Sequence, residues 1–286
     1  SPIDYFILQR LQDANLSPST SADKTTLLRR LTYDLLGLPP TLQQINRFLT
    51  NQSPDAYEQL VDELLMSPRY GERWGRHWLD VAGYADSEGY TDKDIKRDWA
   101  YYYRDYVVNA FNQNKPYDQF LVEQLAGDEL IQSPLSDLQP SDVTRLQATG
   151  FLRMAPDGTG QAGVDQMVAR NQMIADTINI MTTSILGLTV GCAQCHDHRY
   201  DPISQEDYYE LRAILAPALD WKKWQAPSTR RISLYTDEDR QQKTEVESRA
   251  TVATAKRQKQ VDQHLDRTLT EELIRVPDKI RDALRT

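Results

Sequence analysis

The chain alternates between segments whose apolar residues recur every three or four positions and short breaks rich in Pro, Gly, Ser and Asp. That is the pattern of a helical protein. Helices are predicted over 3–11, 24–36, 41–49, 53–66, 67–85, 99–111 and 116–126. Gly37 and Pro39-Pro40 close the second of these. Ser53-Pro54 and Ser67-Pro68 each set an N-cap side chain before a proline at the first helical position, where the missing N–H is not needed. Two stretches read as loops: 133–142, rich in Pro, Ser and Asp, and 153–164, which carries Gly158, Gly160 and Gly163. A long helix over 165–186 follows, ended by Gly187 and Gly191. A shorter one over 204–214 opens on Ser204 with Asp207 three residues on, a variant capping box.

The remainder has another texture. Residues 217–236 read as a polar, aromatic linker, with 231–235 as a candidate short strand. From 237 to 275 the pattern is a charged helix with a thin apolar stripe, Val261, Leu265, Leu269, Leu273 and Val276, broken by Pro277 and followed by a short last helix. So polar a helix does not build a core alone; it pairs with another helix or leads into a further domain. The expected class is therefore all-α: a multi-helix domain at 1–216, the linker, and a long coiled-coil-like extension at 237–286.

With 286 residues the chain can bury a full core. Its net charge of −9 opposes binding to a phosphate backbone, so no nucleic-acid partner is expected. The longest weakly polar run, 178–193, is too short for a bilayer and contains Asn179, Thr182, Thr183, Ser184 and Thr189, so no transmembrane segment is expected. The chain opens on Ser1-Pro2-Ile3-Asp4, already inside a helical pattern, and any export signal would have been removed or lie upstream.

Both cysteines fall in one pentapeptide, Cys192-Ala193-Gln194-Cys195-His196. This is the spacing of c-type haem attachment: each thiol forms a thioether to the porphyrin, and the adjacent histidine becomes the proximal iron ligand. The motif would sit on a loop between two helices. A disulfide, a redox dithiol and half a zinc site completed by His196 and His198 are the alternatives. Covalent haem attachment takes place outside the cytoplasmic membrane, so the haem reading implies a periplasmic or extracellular location.

For the distal iron position His77 is the first candidate, on the stripe Trp74, His77, Trp78, Val81 and Ala85, read as the inward face of its helix. A satisfied core histidine is the plainer reading. Met154, in the glycine-bearing loop, is a weaker candidate; Met167, Met173 and Met181 are further possible thioether ligands, of which Met173 and Met181 read as core. His198 and Asp86 are candidate acid/base groups near the haem; for His198 a second metal site with Asp197 or Asp201 is an alternative, and a bond to its own loop backbone is the plainer reading. Asp86, Glu88, Asp92 and Asp94 form an acidic run that is a candidate Ca²⁺ site or a solvated turn. Trp99, Tyr101, Tyr102 and Tyr103, and Trp221 with Trp224, are candidates to stack on a sugar or on porphyrin, or to fill core. His264 reads as solvent-facing.

Three segments carry a resemblance: 31–40 (LTYDLLGLPP), 71–80 (GERWGRHWLD) with Tyr84-Ala85-Asp86-Ser87, and 191–203 (GCAQCHDHRYDPI). They resemble the planctomycete cytochrome c domain family over about residues 2–216. The resemblance implies a helical, exported, haem-binding segment of a larger secreted protein. It implies a fused cytochrome-c-like domain or other redox domains as partners, and a link to polysaccharide metabolism. Gly83 departs from the family pattern, which has Arg there; Arg73 and Arg76 are then the cations expected for a haem propionate. Three functions follow as expectations. The first is an electron-transfer module. The second is a haem-dependent oxidoreductase acting on a carbohydrate-derived substrate. The third is a carbohydrate-binding or scaffold module with structural haem.

Overall fold

A computed structural model describes residues 1–90 and 94–283. The helices are α1 (Pro2–Asp13), α2 (Lys24–Leu36), α3 (Leu42–Thr50), α4 (Ala56–Leu65), α5 (Pro68–Val81), α6 (Tyr101–Asn112) and α7 (Tyr117–Ala126), then α8 (Pro140–Ala148), α9 (Gln166–Met181), α10 (Gln205–Ile214), α11 (Asp237–Leu273) and α12 (Asp278–Ala283). The fold is all-α, and no strand occurs among the described residues. No described helix is long and apolar enough to cross a membrane.

Local chemistry accounts for most helix ends. Asp23 caps α2 by accepting from the Thr26 amide at 2.7 Å, and Gly37 ends it in the left-handed region at φ 70°. Thr41 with Gln44 and Ser204 with Asp207 form capping boxes on α3 and α10. Asp165 caps α9 through the Met167 and Val168 amides. The helix continues through a π-helical turn, Thr182–Leu186, to Gly187 at φ 67°.

Four expectations change. α4 starts at Ala56, behind a turn at Pro54 and Asp55 closed by the Ala56 amide donating to the Ser53 carbonyl. α5 stops at Val81 rather than 85, because Gly83 takes a left-handed φ of 69° and packs against Ile180. The loop expected at 133–142 gives way to α8 at Pro140, the same proline-first device read elsewhere in the chain. The strand at 231–235 does not form: this extended segment has no partner strand, and the Tyr235 amide donates to Ser233 Oγ at 3.3 Å.

The chain divides into two compact units, one of residues 1–131 and 144–231, the other of 132–143 and 232–286. The expected linker at 217–236 thus splits, its first part joining the larger unit through Leu219 and Trp224. In that unit α2, α3 and α4 enclose Leu28, Phe48, Leu60 and Leu64. A second cluster joins α5, α6 and α7 to the 3₁₀ turn Thr149–Arg153 around Trp78, Tyr103, Tyr106, Phe120 and Phe151. A third joins α9 and α10 around Ile174, Ile178, Val190, Ala193 and Tyr208. In the smaller unit Thr236 and Asp239 form a capping box on α11, and only Leu273 of that helix is buried.

α5 and α6 approach closely because Gly71 and Gly75 have no side chain. A Cβ at Gly71 would stand 2.3 Å from the Val108 carbonyl oxygen, and the Gly71 amide donates to Asn112 Oδ1 at 2.8 Å. Gly71→Ala is therefore expected to destabilise the larger unit by about 1–3 kcal/mol through overpacking. Gly160→Ala, whose new methyl would meet only Pro227 at 3.6 Å, is the control and should stay within about 0.5 kcal/mol of the parent. Urea unfolding followed by circular dichroism measures both, and equal midpoints for the two variants would refute the close approach.

Candidate functional site

The pentapeptide lies on a 3₁₀ turn, Gly191–Gln194, between the π-helical end of α9 and the start of α10. Ala193 is fully buried and anchors the turn in the third cluster. Its neighbours Cys192 and Cys195 are exposed, free thiols, and His196 is exposed beside them. A short turn with one buried residue thus leaves both thiols and the imidazole exposed. Leu186 and Leu188, just upstream, are also exposed.

The turn is held from α10. Gln205 Nε2 donates to the Gln194 carbonyl at 3.2 Å, Tyr209 donates to the same oxygen at 3.1 Å, and the Gln205 amide donates to Asp197 Oδ1 at 2.9 Å. The sequence located α10 through its capping box but carried no signal that Gln205 and Tyr209 reach back eleven and fifteen residues. His196 Nδ1 lies 2.8 Å from the Asp197 carbonyl oxygen. A carbonyl only accepts, so Nδ1 carries the proton, and in the neutral ring Nε2 keeps its lone pair. That is the tautomer an iron ligand needs.

His198 serves the loop. Its side chain is 7% exposed, and Nδ1 accepts from the Asp201 amide at 2.9 Å and more weakly from the Tyr200 amide at 3.4 Å. Its own amide donates to the Ile203 carbonyl at 2.8 Å. Among the described residues no three His, Cys, Asp or Glu side chains gather as a metal site. The zinc set of Cys192, Cys195, His196 and His198 is therefore not assembled.

His77 is not on the inward face. α5 buries Gly71, Gly75, Trp78 and Leu79, while His77, Trp74 and Val81 are exposed. The His77 ring lies tilted against Trp74, 5.4 Å between centres. Met154 is buried among Trp78, Phe151 and Met181, so it fills core, as do Met173 and Met181; Met167 is exposed. Arg73 lies against Gly37 at the end of α2, and Arg76 is exposed, 3.9 Å from Asp80.

The acidic run does not converge. Asp86 accepts from the Tyr84 hydroxyl at 2.6 Å, and burial together with that carboxylate pushes the Tyr84 phenol up to about 12. Asp94 accepts from the Gly89 amide at 2.9 Å, and Asp92 lies outside the described residues. Glu88 turns inward to a buried pair with Arg97 at 2.7 Å and also accepts from the Asp157 amide. Arg97 in turn donates to the Met154 and Ala155 carbonyls. Tyr103 is core. Trp224 donates to Thr159 Oγ1 at 2.9 Å, and the Arg153 and Arg230 guanidiniums stand over its ring, 5.2 and 5.1 Å from the centre. Arg230 also pairs with the buried Asp157. These contacts span up to 73 residues and had no local signal. His264 is exposed on α11, as expected.

Fold and site together define an all-α protein that presents a Cys-x-x-Cys-His turn on the surface of its larger unit. The chain belongs to the PSCyt2 family, a planctomycete cytochrome-c-associated family described as a protein of unknown function (DUF1549), whose model matches residues 2–219. No curated protein and no solved structure matches the chain.

Proposed function

We propose that this chain is an exported c-type haem protein that serves as an electron-transfer module, exchanging electrons with other redox domains or a fused cytochrome-c-like domain. The observation that carries the reading is the presentation of the pentapeptide: two free, exposed thiols on one turn beside a histidine whose Nε2 is open. The residues fit the group. Cys192 and Cys195 would anchor it, His196 would ligate the iron, and the Asp197 carbonyl would hold the imidazole in the right tautomer. Haem bound there supplies one-electron chemistry.

The electron-transfer role is favoured over catalysis because the two acid/base candidates are already engaged. His198 Nδ1 holds its own loop, and Asp86 holds the Tyr84 hydroxyl. The test is a pyridine haemochrome of the full chain produced in a host with working c-type maturation, with oxidised and reduced spectra. The expected result is one covalent haem per chain that is reversibly oxidised and reduced. Absence of haem overturns the reading. A high-spin ferric band that shifts with cyanide replaces electron transfer with catalysis at an open iron.

A further inference from the structure

Between α9, α10 and the segment after α10 lies a cavity of about 230 Å³ that the redox reading leaves unused. Ile174 and Leu219, each 2% exposed, form its apolar base. Tyr209 and Trp221, both exposed, stand at its rim. Tyr209, Arg212 and Ala213 recur at three- and four-residue spacing on one face of α10, and Ala216 follows one turn on. The two alanines leave the space that larger side chains would fill. The Tyr209 hydroxyl also holds the Gln194 carbonyl, so the cavity adjoins the pentapeptide turn.

One wall is polar and lacks an acceptor. Arg212 lines the cavity, and among the described residues no carboxylate oxygen stands within 4 Å of it. Tyr208, one turn earlier on α10, is 2% exposed, and its hydroxyl is buried with no hydrogen-bond partner among the described residues. Burial pushes the Tyr208 phenol above its ordinary value and the Arg212 guanidinium opposes that rise, which places the two groups near each other. Both are donors, and a buried donor left without an acceptor costs about 1–3 kcal/mol. The neighbouring carboxylates are engaged elsewhere: Asp176 accepts from Gln172 Nε2 and Asp220 from the Lys222 amide, each at 2.9 Å. An apolar base with two such donors at one side matches an amphiphilic carboxylate. Its two oxygens accept from a guanidinium and a hydroxyl, and its hydrocarbon body takes the apolar surface. The volume is the share of about eight water molecules at ~30 Å³ each, which suits one phenyl ring or a short alkyl chain and excludes a long lipid.

We propose that this cavity binds a small monocarboxylate with an aromatic or short alkyl body, held at its charged end by Arg212 and Tyr208. Isothermal titration of the full chain with hydrocinnamate and octanoate tests this. Hydrocinnamyl alcohol and octanol supply the same bodies without the charge, and acetate the charge without a body. At least one of the two acids should bind, with its alcohol and acetate weaker by about tenfold or more, the loss of one charge-assisted hydrogen bond or of the apolar contact. Arg212→Gln should weaken the acid about tenfold and leave the alcohol unchanged, whereas Arg212→Lys should stay within a few-fold of the parent. Tyr208→Phe should weaken the acid about threefold or more without lowering the urea midpoint of the empty chain, since the hydroxyl has no partner to lose. Ala216→Phe, which fills the cavity, should abolish binding, and the exposed Arg199→Gln should match the parent. Circular dichroism confirms the folding of each variant. Binding of neither acid, an alcohol as tight as its acid, or unchanged binding in Arg212→Gln, Tyr208→Phe or Ala216→Phe overturns the proposal. The titration involves neither cysteine and no iron, so its outcome is separate from the fate of the redox reading.

Discussion

A chain in which Cys192 and Cys195 are both replaced by Ser should fold as the parent does and carry no covalent haem. Both side chains are exposed and bond to nothing that holds the turn. Ala193, Gln205 and Tyr209 do that work through burial and through the Gln194 carbonyl. Surface replacements of this kind change stability by about 0.5 kcal/mol or less. The parent's haem should survive acid–acetone extraction, and the double variant's should not. His196→Ala separates attachment from ligation: both thioethers remain available, so haem should stay attached while the spectrum of the iron changes. Covalent haem in the double variant would refute the assignment of the thiols. A spectrum of His196→Ala identical to the parent's would refute that of the proximal ligand.

Trp78→Ala should cost about 3–5 kcal/mol, the usual range for deleting a buried tryptophan or phenylalanine. Trp78 sits at the junction of α5, α6 and α7, edge-on to Phe120 at 4.9 Å and tilted to Phe151 at 6.0 Å. Its Nε1–H is shared between Tyr103 Oη and Gln124 Oε1, both at 2.9 Å, and the Tyr103 hydroxyl donates to Gln124 Oε1 at 2.6 Å. Burial pushes the Tyr103 phenol well above its ordinary value, so that donor stays protonated. Trp78→Phe keeps most of the apolar volume and leaves Gln124 Oε1 satisfied by Tyr103, so it should cost about 1–2 kcal/mol beyond any repacking. Urea midpoints at constant slope give both values. A loss in Trp78→Ala no larger than in Trp78→Phe would place the stabilisation in the hydrogen bonds rather than in the packed volume.

The reading of α5 shows where sequence pattern stops. Two stripes compete on that helix: Trp74, His77, Trp78 and Val81, which a hydrophobic pattern selects, and Gly71, Gly75, Trp78, Leu79 and Ala82, which the fold buries. Trp78 belongs to both. The deciding residues are glycines, silent in a hydrophobicity pattern, yet their missing side chains let α6 approach to contact. Once α6 lies there, His77 is turned to solvent. Met154 was misplaced for a related reason. Its neighbouring glycines suggested an open loop, but the Arg97 guanidinium, 57 residues away, holds its carbonyl and Phe151 packs beside it.

What the sequence alone determined is what acts within a few residues. This covers the all-α class, the capped helices, the long polar tail helix, and the pairing of two thiols with an adjacent histidine on a turn between helices. Caps, periodicity and ligand spacing are interactions between positions i and i+4 or nearer, and one sequence displays them in full. Tertiary structure alone decided which face of α5 is buried, the inward turn of Glu88 to Arg97 and the bracing of the pentapeptide from α10. It also decided the split of the aromatic run at 99–103 between surface and core. Each of these is settled by a partner tens of residues away, or by the shape of a neighbouring helix. Burial is a property of the packed assembly, and local pattern only narrows the choices from which packing selects.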